Sequence, residues 1–198
     1  MFVTFEGLDG SGKTTQAELL RERLTAEGHD VVATREPGGT PLGERVRELL
    51  LDGTDVTPWA EAALFAAARA ELVERVIAPA LEAGDDVVCD RYIDSSLAYQ
   101  GIARGLGVDR VLELNLQATR GLLPDATFLL LLPAEAAAAR LGDRPDRIES
   151  EGDEFRAAVD AAYRELAGLF PRRVFTLDAS LPARELAETV YGRVRELS

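Results

Sequence analysis

The sequence predicts an α/β protein in which a five-stranded parallel sheet carries helices on both faces, and three observations support this prediction. First, short apolar runs alternate with longer segments of helical period along the chain. Second, the runs are continuously hydrophobic, as is typical of strands that are covered on both faces. Third, a glycine-rich loop follows the first run and leads directly into a helical segment, at the kind of position where α/β folds bind ligands. We therefore expect a single doubly wound domain over residues 1–198.

The predicted elements follow one another in the order that a doubly wound fold requires. The predicted strands are the runs FVTFE (2–6), VVAT (31–34), DVVCD (86–90), TFLLLL (127–132) and RVFTL (173–177). The predicted helices lie near 13–27, 41–51, 58–82, 94–103, 109–120, 134–141, 153–168 and 183–196. Several have recognisable ends, because Pro58 suits a first turn, Asp109 can cap an N-terminus and Gly28 can close a C-terminus.

The composition excludes several classes of function. The formal net charge is -13, so the chain has no excess of basic residues for nucleic acid or an anionic membrane, and we expect neither as a partner. One cysteine, Cys89, and one histidine, His29, exclude an internal disulfide framework, a cysteine-based zinc cluster and a multi-histidine metal site. The apolar runs are far shorter than the roughly 18 residues of a membrane span, and the N-terminus has no basic leader. We therefore expect a cytoplasmic protein.

A glycine-rich motif directly after the first predicted strand is the strongest functional signal in the sequence. The residues Gly7, Leu8, Asp9, Gly10, Ser11, Gly12, Lys13 and Thr14 match G-x-x-x-x-G-K-[ST], and Thr15 continues them into the helix. Glycines allow backbone N–H groups to turn around phosphate oxygens, and the next helix adds the positive potential of its N-terminus. We expect Lys13 to reach the β- and γ-phosphates of ATP and Thr14 to offer its hydroxyl to Mg²⁺. The sequence therefore predicts a P-loop NTPase fold with its ATP site at residues 7–15.

The use of lysine separates the classes of P-loop protein. Of the 22 lysine and arginine residues, only Lys13 is a lysine. A compact ammonium fits a narrow loop that a planar guanidinium does not. Guanine-specific GTPases need the lysine of an N-K-x-D segment, which this chain lacks, and the loop does not match the dinucleotide fingerprint G-x-G-x-x-G. A nucleotide-dependent phosphotransferase or a small ATPase remains.

Further motifs lie at the ends of other predicted elements, in an order that matches one known family. They are GLDGSGKTTQ (7–16), REPGGT (35–40), LFAAARAE (64–71), DRYIDSSLAYQG (90–101), LLPD (122–125) and RPDRIE (144–149). Together they resemble the thymidylate kinase family. The resemblance implies transfer of the γ-phosphoryl group of ATP to dTMP, which gives dTDP and ADP in dTTP synthesis. It also implies a homodimer, to which the apolar stretch 59–82 can contribute a helix.

Residues after the third strand and within the third helix are candidates for binding the acceptor. Arg91 can bind an acceptor phosphate bidentately and Asp90 can hold a water of the Mg²⁺ shell, although a salt-bridged strand end would have the same residues. Phe65 and Arg69 are four residues apart and share one helix face, where the ring by itself is typical of ordinary core. The resemblance implies that Phe65 stacks on thymine and that Arg69 contacts the edge of the base.

The resemblance also implies roles for other positions around the acceptor. Arg35 would lie near the acceptor phosphate, although the residues alone also allow a surface arginine. Ser96 and Gln100 would lie near the thymine ring, and Tyr99 would pack on the deoxyribose and leave no room for a 2′-hydroxyl. Asp9 would orient the sugar hydroxyl and the acceptor phosphate, since the attacking phosphate oxygen is already ionised and needs no strong base.

A cluster of arginines, Arg140, Arg144 and Arg147, is the candidate for a lid over the transferring phosphoryl group. By itself the cluster is also typical of a solvent-exposed helix end that is rich in charged residues. P-loop kinases close a mobile segment that brings cations to the reacting phosphate and excludes water. The loop at 9–11 contains no arginine, so the chain resembles the branch of the family in which the lid supplies one. We expect a short lid at about 140–152, with Arg144 as the first candidate and Arg147 as the second.

Two other functions remain open from the residues alone. A kinase for another nucleoside monophosphate would share the phosphate loop and differ in its base contacts. A nucleotide-binding regulator or assembly module would bind ATP and transfer nothing to any monophosphate. Turnover of dTMP against other monophosphates distinguishes the three functions.

Overall fold

A parallel five-stranded sheet forms the centre of the protein. In the computed structural model, which describes residues 1–52, 55–140 and 147–197, the strands lie in the order β2-β3-β1-β4-β5. They are β1 (Phe2–Gly7), β2 (Val31–Arg35), β3 (Asp86–Asp90), β4 (Ala126–Leu131) and β5 (Val174–Asp178). All neighbouring pairs are parallel. Each predicted strand is present, with bounds that differ by at most one residue from those predicted.

Helices connect the strands and cover both faces of the sheet. They are α1 (Lys13–Ala26), α2 (Pro41–Leu51), α3 (Pro58–Leu72), α4 (Ala78–Ala83), α5 (Ile93–Ser96), α6 (Val108–Ala118), α7 (Ala134–Ala138), α8 (Asp153–Leu169) and α9 (Ala183–Val194). A π-helical turn at Val73–Ile77 joins α3 to α4, another at Leu97–Ala103 extends α5, and a 3₁₀ turn at Glu149–Glu151 precedes α8. The helix predicted at 134–141 is shorter than expected, since α7 ends at Ala138. Within the described ranges, no helix is both long and apolar enough to cross a membrane.

The central strands are buried because helices pack on both of their faces. Every residue of β1 is buried, which explains the continuous apolar pattern of this strand in the sequence. Phe5 of β1 and Phe128 of β4 stack across the two strands, with ring centroids 5.6 Å apart. Full burial of one such side chain contributes roughly 1.5–3 kcal/mol. The outer strand β2 is only partly buried, whereas β1 and β3 are buried almost throughout. The loops that follow β1 and β3 therefore start from well-packed strands.

The register brings the ends of three strands to one edge of the sheet. Phe5 of β1 and Arg35 of β2 both pair with Asp90 of β3. The glycine-rich loop, the segment that starts at Glu36 and the segment that starts at Arg91 therefore leave the sheet at nearly the same level. This carboxyl edge is where doubly wound folds bind their ligands.

Candidate active site

The loop after β1 has the backbone geometry of an anion site. Gly7 has a φ of 136°, and a side chain there would place its Cβ 2.5 Å from the carbonyl oxygen of Leu130, so only glycine fits. Gly12 has a φ of 97° and turns the chain into α1. Among the described residues, no side chain caps the start of this helix, and its first turn contains no acidic residue. The N–H groups of the first turn therefore remain available to a phosphate.

Lys13 lies inside this loop rather than on the surface. Its side chain is 6% exposed, and its ammonium donates to the carbonyl oxygen of Leu8 at 3.0 Å and to Asp9 at 3.4 Å. Burial, together with the nearby Arg91 guanidinium, lowers the pKa of this ammonium. The hydroxyl of Ser11, in the same loop, is buried and has no hydrogen-bond partner in the described part of the chain. A buried cation and an unpaired hydroxyl beside a helix N-terminus fit the phosphates of ATP.

Thr14 and Asp90 form the part of the site that fits a divalent cation. The Thr14 hydroxyl donates to Asp90 Oδ2 at 2.5 Å, which links the start of α1 to the end of β3. Mg²⁺ binds oxygen ligands, and it usually takes one or two from carboxylates and the others from waters and substrate phosphates. The ranges that the structure describes contain no cluster of three or more His, Cys, Asp or Glu side chains suited to a metal. The pair therefore fits a magnesium ion that arrives with a nucleotide.

Arg91, directly after β3, has an unusual backbone conformation at the mouth of the loop. Its φ is 71°, in the left-handed region that residues other than glycine seldom adopt. Its Nη2 donates to Asp9 Oδ1 at 2.6 Å, and its Nη1 donates to the hydroxyls of Ser95 at 3.0 Å and Tyr163 at 3.1 Å. Burial alone would raise the pKa of Asp9, but Arg91 and Lys13 outweigh it and hold this pKa well below its usual range. Asp9 is therefore an ionised carboxylate between two cations.

Two cavities open at this edge of the sheet and share part of their walls. The loop cleft is lined by Asp9, Gly10, Gly12, Lys13, Thr14, Thr15, Arg35, Glu36, Arg47, Asp90, Arg91 and Arg140. The inner cavity is lined by Asp9, Glu36, Pro37, Arg47, Leu51, Phe65, Arg91, Ser95, Ser96, Tyr99, Gln100 and Ile148. Asp9, Glu36, Arg47 and Arg91 line both cavities. A chemical group that moves from one cavity to the other passes these side chains.

The loop cleft concentrates cations in a strongly acidic protein. Its cationic side chains are those of Lys13, Arg35, Arg47, Arg91 and Arg140, and its acidic ones are those of Asp9, Glu36 and Asp90. The cleft therefore has an excess of positive charge, although the chain has a net charge of -13. Such local focusing attracts an anionic ligand.

Of these cations, Arg47 was not among the predicted site residues, and Arg140 was named only as a member of the predicted lid cluster. Arg47 donates to the carbonyl oxygen of Pro37 at 3.1 Å, and Arg140 approaches the carbonyl oxygen of Gly10 at 3.5 Å. Arg140 belongs to the arginine cluster that the sequence analysis singled out. Arg47 lies on α2 in an ordinary amphipathic pattern, so no local signal in the sequence distinguishes it from a surface arginine.

Glu6, at the end of β1, was also missed. It is fully buried, and its Oε2 accepts hydrogen bonds from the hydroxyls of Ser95 at 2.6 Å and Tyr163 at 2.8 Å, the same hydroxyls that bind Arg91. The signal in the sequence is a carboxylate at the end of a largely apolar strand, directly before the glycine-rich loop.

The inner cavity has the chemistry to hold a flat polar ring. The structure brings Phe65 of α3 to its wall together with Ser96, Tyr99 and Gln100. The Gln100 amide donates to Glu61 at 2.8 Å, which fixes its orientation. Burial raises the pKa of Tyr99 to about 12, so this phenol is neutral at pH 7. One aromatic ring and several oriented polar groups suit a heteroaromatic base.

Arg69 lines neither cavity in this structure, and its predicted contact with a base stays a prediction. Its side chain is 1% exposed, with Nε 2.7 Å and Nη2 2.5 Å from Glu36 Oε2. Nη2 also donates to the carbonyl oxygen of Tyr92 at 2.9 Å, and Nη1 donates to Ser96 Oγ at 3.0 Å and to Asn115. The guanidinium thus makes four hydrogen bonds and an ion pair within the protein. Arg69 therefore orients cavity residues from behind.

Glu36 lies where the two cavities meet and is almost fully buried. Its Oε2 accepts from Arg69, whereas its Oε1 has no hydrogen-bond partner within the described ranges. Burial raises the pKa of this carboxyl to about 7, against the opposing effect of Arg69. The junction of the cavities therefore contains a group that changes charge near neutral pH and can still bind a ligand.

The predicted lid arginines are only partly covered by the structure. Arg144 lies outside the described residues. Arg147 is absent from the lining of the loop cleft, because its guanidinium donates to the carbonyl oxygen of Leu50 at 2.7 Å and pairs with the buried Glu61 at 2.5 Å. In this structure Arg147 thus lies against α2 and α3, and its predicted role as the second lid arginine stays a prediction. Arg140 is the arginine of this cluster that lines the cleft.

Comparisons with known proteins agree with this geometry. A sequence profile of the thymidylate kinase family matches residues 5–190. A thymidylate kinase of Synechococcus sp. (strain JA-3-3Ab) is 49% identical, over 98% of this chain and 95% of that protein. One from Bifidobacterium longum (strain NCC 2705) is 46% identical, over 100% and 98% respectively. The crystal structure of thymidylate kinase from Ehrlichia chaffeensis has a TM-score of 0.76 and 36% identity, and the match covers 89% of this chain and 91% of that one. These matches confirm the predicted P-loop fold.

Proposed function

Because the chain belongs to the thymidylate kinase family, which phosphorylates dTMP to dTDP with ATP, we propose that its two cavities hold the two substrates of that reaction. The loop cleft takes the phosphates of ATP, and the inner cavity takes dTMP. The observation that supports this assignment is the shared wall, since Asp9, Arg47 and Arg91 line both cavities. The γ-phosphoryl group then passes between substrates beside two arginines.

On the donor side, the protein positions the phosphates of ATP and stabilises their negative charge. The N–H groups of the loop and the ammonium of Lys13 bind the phosphates of ATP. Thr14 and Asp90 are the residues that would hold Mg²⁺, Thr14 by its hydroxyl and Asp90 by way of a water. Bound there, the ion would supply positive charge against the phosphates of ATP. Transfer passes through a loose, metaphosphate-like group, so these cations lower the barrier more than a base could.

On the acceptor side, Arg91 binds the phosphate of dTMP and Arg47 adds a second cation. Asp9 holds Nη2 of Arg91 at 2.6 Å and remains ionised, so it can also accept a hydrogen bond from the sugar hydroxyl. Arg35, which pairs with Glu44 at 3.1 Å, adds positive potential from the end of β2. These groups orient an acceptor oxygen that is already ionised at neutral pH.

The base and sugar are selected by the wall of the inner cavity. Phe65 stacks on thymine, and the oriented side chains of Ser96 and Gln100 contact its polar edge. Tyr99 packs on the deoxyribose and excludes a 2′-hydroxyl by steric conflict. Arg69 acts on the base through Ser96, whose hydroxyl it holds at 3.0 Å.

We assign two further features of the scheme to the chain as a whole. A lid at about 140–152 brings Arg140, which already lines the loop cleft, and Arg144 toward the transferring group. The protein acts as a homodimer in the cytoplasm, with the exposed apolar face of α3 in the interface.

An acceptor panel tests the proposed function. With ATP and Mg²⁺, we expect the highest kcat/KM for dTMP among dTMP, dUMP, UMP, CMP and AMP. A preference for UMP, CMP or AMP would contradict the assignment of the inner cavity, and transfer to none of them would favour a module that binds ATP without catalysis. Arg91→Ala should lower phosphotransfer at least about 100-fold and leave ATP binding intact. Arg45→Ala, an exposed arginine of α2 that lines neither cavity, is the matched control and should keep wild-type rates.

A further inference from the structure

We propose that Glu6 is a positioning residue for phosphoryl transfer, because its buried carboxylate fixes the Arg91 guanidinium through the hydroxyls of Ser95 and Tyr163. The inference rests on the proposed role of Arg91 in binding the acceptor phosphate. It adds three side chains from different elements to the machinery, namely Glu6 at the end of β1, Ser95 in α5 and Tyr163 in α8.

The hydrogen bonds of Glu6 account for both of its carboxylate oxygens. Oε1 accepts from the backbone N–H groups of Tyr92 at 2.8 Å and Ser95 at 3.1 Å. Oε2 accepts from the hydroxyls of Ser95 at 2.6 Å and Tyr163 at 2.8 Å. The two hydroxyl oxygens also lie 3.0 Å apart, but Glu6 Oε2 is within hydrogen-bond distance of both. Each hydroxyl has one proton, and with both protons directed to the carboxylate, both oxygens face Arg91 as acceptors. The two hydrogens of Arg91 Nη1 thus meet two acceptors, at 3.0 and 3.1 Å.

Glu6 also stabilises the backbone that carries Arg91. The left-handed φ of 71° at Arg91 is unfavourable by itself and persists only where surrounding contacts hold it. The next residue, Tyr92, gives its N–H to Glu6 Oε1, so one carboxylate secures the turn as well as the guanidinium. Asp9 holds the other nitrogen, Nη2, from the loop side. The guanidinium is therefore held at both of its terminal nitrogens, by Asp9 on the loop side and by the two hydroxyls that bind Glu6 on the other side.

This arrangement links the helix after the candidate lid to the arginine of the acceptor site. Tyr163 belongs to α8, which begins at Asp153, and its ring also packs edge-on against Tyr99 at a centroid distance of 6.2 Å. The hydroxyl of Tyr163 thus reaches Arg91 from α8, at 3.1 Å from Nη1. Loss of that hydroxyl should weaken dTMP binding and transfer without an effect on ATP.

A double-mutant cycle between Tyr163 and Arg91 tests the proposal. Tyr163→Phe keeps the ring and removes only the hydroxyl, and a hydrogen bond to a charged group corresponds to at least about a tenfold effect. We expect Tyr163→Phe to raise the dissociation constant of dTMP and to lower kcat/KM for dTMP by about tenfold, with KM for ATP unchanged. In the Arg91→Ala background, the same substitution should cause no further change in the dissociation constant of dTMP.

Tyr191→Phe is the matched control, since it removes from α9 an exposed tyrosine hydroxyl that donates to Glu27 at 2.6 Å. It should leave the dissociation constant of dTMP and both kinetic constants at the wild-type values. Glu6→Gln, an isosteric neutral side chain, should reproduce the loss seen in Tyr163→Phe and should likewise add nothing to Arg91→Ala. If Glu6→Gln does not fold, the Tyr163 cycle decides alone.

An equal effect of Tyr163→Phe in both backgrounds, or no effect in the wild type, would overturn the positioning role while the proposed function stands. If Arg91→Ala itself leaves dTMP binding and transfer unchanged, the role of Arg91 in the proposed function fails, and the positioning role fails with it.

Discussion

Lys13 illustrates at the scale of a single residue why side-chain shape matters as much as charge. The loop leaves the side chain of Lys13 6% exposed and places its ammonium 3.0 Å from the carbonyl oxygen of Leu8. A guanidinium carries the same charge on a wider planar group with five donors, which this narrow space cannot accommodate in a position to meet phosphate. The single lysine of an arginine-rich chain therefore stands where arginine is not equivalent.

The first prediction follows from this shape argument. We expect Lys13→Arg to lower kcat for phosphotransfer from ATP to dTMP by at least about 100-fold, because the new side chain cannot bind the transferring charge in the same position. Steady-state kinetics at saturating ATP and dTMP measures this change. Arg45→Lys, the reverse exchange at an exposed position on α2, should have no effect. Near wild-type transfer by Lys13→Arg would show that charge alone is sufficient.

At the scale of elements, the sequence predicts sites that are built from one contiguous segment. It does not predict contacts between helices that are distant in the chain. The unit of β1, loop and α1 is predictable because its signals, from Gly7 to Thr14, are contiguous. Arg47 reaches the cavities only through the position of α2 beside the loop cleft, which no pattern within α2 specifies. The ion pair of Arg147 is hidden in the sequence for a similar reason, since its partner Glu61 is a buried carboxylate on α3, far away in the chain.

The segment DRYIDSSLAYQG shows that one motif can contain residues for two tasks. Ser95 and Ser96 line the inner cavity, whereas Asp94 between them and the strand lines neither cavity. Asp94 is nearly fully buried and accepts two hydrogen bonds from Arg173, at 2.5 and 2.8 Å, and one from Thr127 at 3.0 Å. It therefore ties α5 to β4 and to the residue before β5.

The second prediction concerns this buried ion pair. Asp94→Asn should lower the free energy of unfolding by up to about 3–5 kcal/mol, because it leaves the partly buried charge of Arg173, whose side chain is 14% exposed, without its buried counterion. Urea unfolding measures the change, and the KM for dTMP of the folded variant should stay close to that of the wild type. Asp160→Asn is the matched control, since it breaks an Arg–Asp pair on the surface of α8 and should cost less than about 1 kcal/mol. If both variants lost the same free energy of unfolding, the Asp94–Arg173 pair would stabilise the protein no more than a surface ion pair does.

At the scale of the whole molecule, charge and apolar surface are distributed unevenly. The cations of the loop cleft are concentrated at one edge of the sheet, while the chain as a whole has a net charge of -13. On α3, Trp59 is 42% exposed, and Ala60, Ala63 and Ala67 are also exposed. The spacing of these alanines places them on one face of the helix, so α3 presents an apolar stripe to the outside while Phe65 of the same helix lines the inner cavity. A second copy of the chain that covered this stripe would support the wall of the dTMP site from behind.

The last prediction tests this assembly. Ala63→Glu places a charge in the middle of the stripe, where it should separate the subunits of the proposed homodimer without disturbing the fold, since the position is exposed in the single chain. Sedimentation velocity should give a dimer for the wild type and a monomer for Ala63→Glu at the same concentration. Ala161→Glu, an exposed alanine on α8, should remain dimeric. We also expect the KM for dTMP to rise in Ala63→Glu, because Phe65 loses the support of the neighbouring subunit. A wild type that is monomeric throughout, or a dimer that Ala63→Glu leaves intact, would exclude the α3 face as the interface.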